Sequence, residues 1–192
     1  MILRITEFGE PILKETGEKI EVFDAELRQL SEDMIDTMRD AEGIGLAAQQ
    51  IGKALQICVV DVNFEGRPAD YAYELDGKTP PLDLIMPMTL INPELTLLAG
   101  ETEDYEEGCL SFPEVRGNVN RPGNVEVTFQ DLDGNAHTLC AGGILARVIQ
   151  HEVDHLNGVL FTERMTRNLV NRLEKKLKRL KRNTRDKLRI LK

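Results

Sequence analysis

The chain is an α+β protein by its sequence, with strands and helices in separate stretches rather than in alternating βαβ units. Three observations predict this. The middle is rich in strand-forming runs and includes one clear hairpin; residues 24–41 and 165–188 carry helical apolar stripes; and a short helix lies between Gly142-Gly143 and Asn157-Gly158. Taking the elements in order, Leu27, Leu30, Met34 and Met38 recur at spacings of three and four, which is one face of a helix over 24–41. Asp24 stands where it can cap that helix, and Gly43 ends it. Residues 55–62 are rich in β-branched side chains and predict a strand. Residues 63–88 are polar and hold Gly66, Pro68, Gly77, Pro80, Pro81 and Pro87, which predicts a long loop or an insertion rather than a second domain. A strand over 89–98 is interrupted at Asn92-Pro93. Residues 125–130 alternate, and Asp133-Gly134 turns the chain into 136–140 to complete the hairpin. A helix follows from about Ile144 to Leu156, and Val159-Leu160-Phe161 predicts a short strand. Over 165–188, Leu169, Leu173, Leu177 and Leu180 form the stripe of a basic helix.

Composition narrows the function. The 192 residues, 41% hydrophobic and 30% charged, suit one globular domain that buries its core without disulfides. No apolar run is long enough for a bilayer, so no membrane role is expected. Met1 to Gly9 lacks a signal peptide's apolar region and a transit peptide's basic character, and three cysteines (Cys58, Cys109, Cys140) suggest a reducing compartment. The expectation is a cytoplasmic protein. Residues 164–192 hold thirteen Lys/Arg against Glu174 and Asp186, a net of +11, so the other residues carry −20 of the overall −9. An acidic body with a basic tail suggests that the body does chemistry while the tail meets a polyanion, with DNA not expected; the alternative is a solvated helix with many lysines.

The chemistry is concentrated in His151-Glu152-Val153-Asp154-His155. On a helix, residues four apart share a face, so two imidazoles grip one metal ion and the adjacent glutamate handles the proton of a bound water. Two of the chain's three histidines fall in this run. A catalytic site of this type takes a third protein ligand and keeps a fourth position open. Two candidates stand. Glu174 follows His155 where a thermolysin-like peptidase places its glutamate, but an i,i+4 pair with Lys178 explains it without a metal. Cys109, in Glu106-Glu107-Gly108-Cys109-Leu110-Ser111, follows a glycine that permits close backbone approach and is the favoured candidate. Cys58 and Cys140 sit on predicted strands and are expected to be packing thiols. Gly43-Ile44-Gly45-Leu46-Ala47-Ala48 matches a dinucleotide fingerprint in form only, since a helix precedes it and a strand follows it.

These three segments, Gly43 to Gln50, Glu107 to Ser111 and His151 to His155, resemble in order the three signature segments of the peptide deformylase family. Ile91-Asn92-Pro93 extends the similarity, whereas 63–88 is longer than the family's usual connection. The resemblance implies a deformylase-like fold: antiparallel or mixed sheets around a central helix carrying the His-Glu run, with a basic C-terminal helix. It implies a catalytic domain over 1–165 and a tail over 166–192. It implies removal of the formyl group from N-formylmethionyl peptides, with release of formate. Cys109, His151 and His155 would then hold one divalent ion, Fe²⁺ in cells, with Zn²⁺, Ni²⁺ or Co²⁺ also able to occupy the site. Metal-bound water would attack the formyl carbon, with Glu152 as general base and acid and with Gln50 and the Leu110 N–H stabilising the oxyanion. Ile44, Tyr105, Ile144 and Val148 would line the methionine pocket, while Gly45, Gly108 and Arg116 would contact the peptide. Arg147 departs from an often apolar position at the pocket rim. Asp154 is expected to be a structural partner of Arg121, and His137 a surface residue. The basic tail is expected to contact the ribosome.

Overall fold

Alternation along the strands decides how the layers form. The computed structural model describes residues 1–63 and 72–190. Its strands are β1 (Gly45–Ala47), β2 (Ile57–Val60), β3 (Tyr73–Leu75), β4 (Met88–Leu97), β5 (Thr102–Gly108), β6 (Arg116–Pro122), β7 (Asn124–Gln130) and β8 (Ala136–Gly142). Its helices are α1 (Ala25–Asp40), the single turn α2 (Leu82–Ile85), α3 (Gly143–Leu156), the single turn α4 (Phe161–Arg164) and α5 (Arg167–Ile190). Strands β1, β2, β4, β7, β8 and β3 lie side by side in that order, and β5 with β6 makes a separate hairpin. Every pairing between these strands is antiparallel.

Strand β2 shows why both faces of the large sheet are covered. Successive strand residues point to opposite faces. Ile57 and Val59 pack with Leu27, Met34 and Met38 of α1, whereas Cys58 and Val60 pack with Leu145, Ala146, Ile149 and Val153 of α3. The stripe expected on α1 is therefore its buried face, and the Asp24 carboxylate caps the helix by accepting from the Leu27 N–H at 2.9 Å. Helix α3 is the central one: every residue from Leu145 to Leu156 is buried. Gly158, at φ 69°, turns the chain sharply away after it.

The interruption at Asn92-Pro93 is a register shift between Ile91 and Glu94, with Asn92 at φ 51°. Its side chain does not idle there, since Nδ2 donates to the Ile20 carbonyl and to Gln130 Oε1, each at 2.8 Å. Residues 63–88 are not loop throughout: β3 extends the sheet beyond β8, from Tyr73 opposite Ala141 to Leu75 opposite Leu139. Part of that stretch, 64–71, lies outside the described residues.

One expected strand is absent. At 159–161 the chain instead enters α4, where Leu160 and Phe161 bury in a third cluster with Phe112 and Val119. The Leu160 N–H is taken by Glu163 Oε1 at 3.0 Å, which starts a helical turn where a strand would need a partner chain. The same cluster receives Leu169, Leu173, Leu177 and Leu180 of α5. These four leucines are partly buried, and at about half of the roughly 1.5–3 kcal/mol of full burial each still contributes about 1 kcal/mol. A surface pair such as Lys187 with Glu7 contributes about 0.2–1 kcal/mol. The apolar stripe therefore outweighs the ion pairs in holding α5 down.

Candidate metal centre

The i,i+4 spacing on α3 sets His151 and His155 on one face, with ring centroids 5.0 Å apart. Cys109 follows the end of β5, and its Sγ lies 3.2 Å from His155 Nε2. One donor atom from each of Cys109, His151 and His155 lies within 4.8 Å of the others. Both histidines are buried, and Cys109 is half-buried. The donor set fits a first-row divalent ion: one thiolate and two imidazoles fill three positions and leave a fourth open. Glu174 is not part of this group. It is 60% exposed on α5 and pairs with Lys178 at 2.7 Å.

A charged network supports the ligands from behind. His151 Nδ1 donates to Glu107 Oε2 at 3.0 Å, which turns Nε2 toward the thiolate side. Glu107 Oε1 accepts from Arg121 Nε at 2.6 Å and from Arg147 Nη1 at 2.9 Å. Burial works against charge on Glu107, yet hydrogen bonds from His151 and Arg121 hold its pKa at about 2. Asp154 points away from the ligand face, as its helical position requires, and accepts from Arg121 Nη1 at 2.8 Å and Arg164 Nη2 at 2.6 Å. Burial, followed by the positive His151 and Arg121, pushes His155 well below its ordinary pKa, so its ring is neutral, the form that binds metal. Burial also disfavours charge on His151, but Cys109 and Glu107 override it and raise its pKa to about 10. The cluster is negative enough to retain one positive charge, and a cation can displace that proton.

Glu152 lies on the same helix, pressed against Gly45 of β1. A methyl group at position 45 would collide with its carboxylate. Glu152 is buried, its Oε2 has no hydrogen-bond partner among the described residues, and burial raises its pKa to about 7. Gln50 comes from a 3-10 turn at Ala48–Ile51. Its Oε1 accepts from the Ala47 N–H at 2.8 Å, which aims Nε2 at Cys109 Sγ, 3.4 Å away. The Leu110 N–H meets no acceptor among the described residues. The Glu152 carboxylate, the Gln50 amide and Leu110 therefore all border the Cys–His–His group.

The other expected site residues divide. Ile44, Ile144 and the buried Val148 pack together in the cluster around α3. Tyr105 stands apart, 57% exposed, with its ring centroid 5.4 Å from the Arg147 guanidinium. Arg116 lies opposite Gly108 on β6 and drapes over that glycine, with no ion pair among the described residues. Cys58 is buried as a packing thiol, and Cys140 is half-buried with Sγ 3.8 Å from Glu126. His137 is not simply a surface residue. Its Nδ1 bonds Asp76 at 2.6 Å and its Nε2 bonds Asp131 at 3.2 Å. Sequence reasoning gave Glu107 no role and left Arg147 unexplained. The available signal was a cation one turn before His151 in the otherwise apolar first half of α3, Gly143 to Ile149.

Comparison with known proteins agrees with this arrangement. The family model described as polypeptide deformylase matches residues 2–171. A peptide deformylase from Opitutus terrae is 52% identical over 187 residues, covering 96% of each chain. Among solved structures, a plant peptide deformylase superposes with a TM-score of 0.82 at 33% identity, covering 96% of this chain and 92% of its own. A peptide deformylase from Synechococcus elongatus, solved in complex with actinonin, gives a TM-score of 0.76 at 40% identity, covering 91% of this chain and 85% of its own.

Proposed function

The chain belongs to the polypeptide deformylase family, enzymes that remove the N-formyl group from nascent peptides, and from that premise we propose that it hydrolyses N-formylmethionyl peptides with Glu152 as general base and acid. The observation that carries this is the buried Glu152 carboxylate, whose Oε2 has no partner among the described residues, beside the Cys109, His151 and His155 donors. A divalent ion held by those three residues would polarise the formyl oxygen and acidify a water at its open position. We assign Fe²⁺ as the ion in cells, with Zn²⁺, Ni²⁺ or Co²⁺ able to use the same ligands. Loss of activity in air is then expected, by oxidation of the iron or of Cys109.

Glu152 carries the proton. With a pKa raised to about 7 it is poised near neutral pH, where a base works best. It takes a proton from the attacking water and later gives it to the departing amine, so the products are formate and a free amino terminus. As the formyl carbon becomes tetrahedral its oxygen gains negative charge, and Gln50 Nε2 and the Leu110 N–H are the donors that meet it. Ile44, Ile144 and Val148 take the methionine side chain, with Tyr105 at the rim. Strand β1 ends the large sheet and β5 pairs only with β6 among the described residues, so each leaves an open edge beside the site. An extended peptide adds to such edges at Gly45 and Gly108, with Arg116 near its downstream groups.

We assign catalysis to residues 1–165 and contact with the ribosome to the basic tail at 166–192. Supporting this, Leu173, Leu177 and Leu180 of α5 face the body, which leaves Lys175, Lys178, Arg182 and Arg189 exposed for phosphates. Co-sedimentation with ribosomes that survives deletion of 166–192 would remove that assignment. None of the helices among the described residues is long and apolar enough to cross a membrane. A cytoplasmic site of action follows from the proposed substrate. The reaction is tested by formate release from formyl-Met-Ala-Ser, using enzyme purified without oxygen beside its Glu152→Ala variant. Release by the parent alone is expected; equal release by both would take the base away from Glu152.

A further inference from the structure

Arg147 has no part in the chemistry above, yet its charge is deeply buried. It is 6% exposed in α3, four residues before His151 and so on the same helix face. A guanidinium taken this far from water persists only where its donors and its charge are met. Here the β5–β6 hairpin meets them. Nη1 donates to Glu107 Oε1 and to the Val119 carbonyl, both at 2.9 Å, and Nη2 donates to the Glu103 carbonyl at 2.8 Å. Its carbon lies 5.4 Å from the Tyr105 ring centroid, within cation–π range. Glu103, Tyr105 and Glu107 are alternate residues of β5, and Arg147 reaches all three.

Two functional features meet at this guanidinium. One is Glu107, whose other oxygen accepts the Nδ1 proton of the metal-ligand candidate His151. The other is Tyr105, a mostly exposed ring with no place in the apolar clusters. We infer that Arg147 is a positioning residue that joins them. It fixes the Glu107 carboxylate so that His151 presents Nε2 to the ion, and it pins Tyr105 at the rim of the methionine pocket. Filling the pocket and retaining the ion are thereby coupled through one side chain. Arg121 also grips Glu107, donating from Nε to Oε1 at 2.6 Å and from Nη2 to Oε2 at 3.0 Å, but it does not supply the link to Tyr105, because its remaining donor goes to Asp154. The pocket half of the inference rests on the deformylase reading; the ion half does not.

The test loads the parent, Arg147→Met, Arg147→Lys and Tyr105→Leu with Ni²⁺ and follows its release to a chelator, with and without Met-Ala-Ser. Arg147→Met is expected to hold Ni²⁺ about 10–100-fold more weakly, the usual effect of losing a group that orients a metal ligand. Its loaded form shows a raised KM with a smaller change in kcat, and Met-Ala-Ser no longer slows release. Arg147→Lys keeps a cation for Glu107 but loses the flat fork, so it recovers Ni²⁺ retention and not KM. Tyr105→Leu raises KM with Ni²⁺ retention unchanged. Parental Ni²⁺ retention in Arg147→Met, with only the melting temperature lowered, overturns the inference and leaves a structural brace. If Arg147→Met does not fold, the other two variants decide, and an unchanged KM in both overturns it. Failure of the parent to release formate would instead sink the deformylase reading, with the Ni²⁺ comparison still standing.

Discussion

Gly45 and Gln50 each reach the candidate centre without holding it, so their substitutions separate turnover from metal content. Gln50→Ala removes the proposed oxyanion donor and is expected to lower kcat by about 10²–10³. Gly45→Ala forces the Glu152 carboxylate aside, and a displacement of about 1 Å at such a group costs on the order of 10² in rate. In both variants metal analysis should still find the parental stoichiometry; loss of the ion would mean that these residues support the ligands instead. His137 gives a prediction of a different kind. Its hydrogen bond to Asp76, with help from Asp131, raises its pKa above 6.5, so the protonated ring stabilises the fold. That contribution is complete below pH 6.5 and is lost as pH rises through the raised value. His137→Asn should therefore lower the melting temperature more at pH 5.5 than at pH 9, and an equal loss at both would show that the ring acts through packing alone.

At the scale of the elements, the helices depend on identifiable caps and stripes. Asp24→Ala removes the N-cap of α1 and is expected to cost about 1 kcal/mol. For a protein of this size that is a fall in melting temperature of about 2–4 °C, and a shift within error would mean that the tertiary contacts of α1 make the cap redundant. The same local signals made α1, α3, α5 and the β7–β8 hairpin legible in the sequence, because cap, period and turn residues agree there. The β5–β6 hairpin was not legible. Its Thr102-Glu-Asp-Tyr-Glu-Glu-Gly sequence is poor in strand formers, and its order comes from Arg121 across the hairpin on β6 and from Arg147, which arrives from α3. Residues 159–161 failed for the opposite reason: their β-type side chains bury beside Phe112 without any strand to pair with. The pair His151 and His155 was legible because its helical spacing limits it, whereas spacing left Cys109 beside Glu174 and the family resemblance chose between them. Glu107 was not, since its role depends on which basic groups the fold brings around it.

Over the whole molecule, the open edges of β1 and β5 carry a hazard. An uncovered sheet edge invites any extended chain, including another copy of the same protein. Here β1 is only three residues long and β5 bears the exposed Glu103, Asp104 and Glu106. Replacing Glu103 and Glu106 by Gln, and Asp104 by Asn, should raise the average mass seen by light scattering at matched concentration. An unchanged mass would show that shortness alone protects the edge. Between copies of the chain at high concentration, like-charge repulsion of this kind acts as a colloidal safeguard, keeping two such edges from zipping together while each stays open.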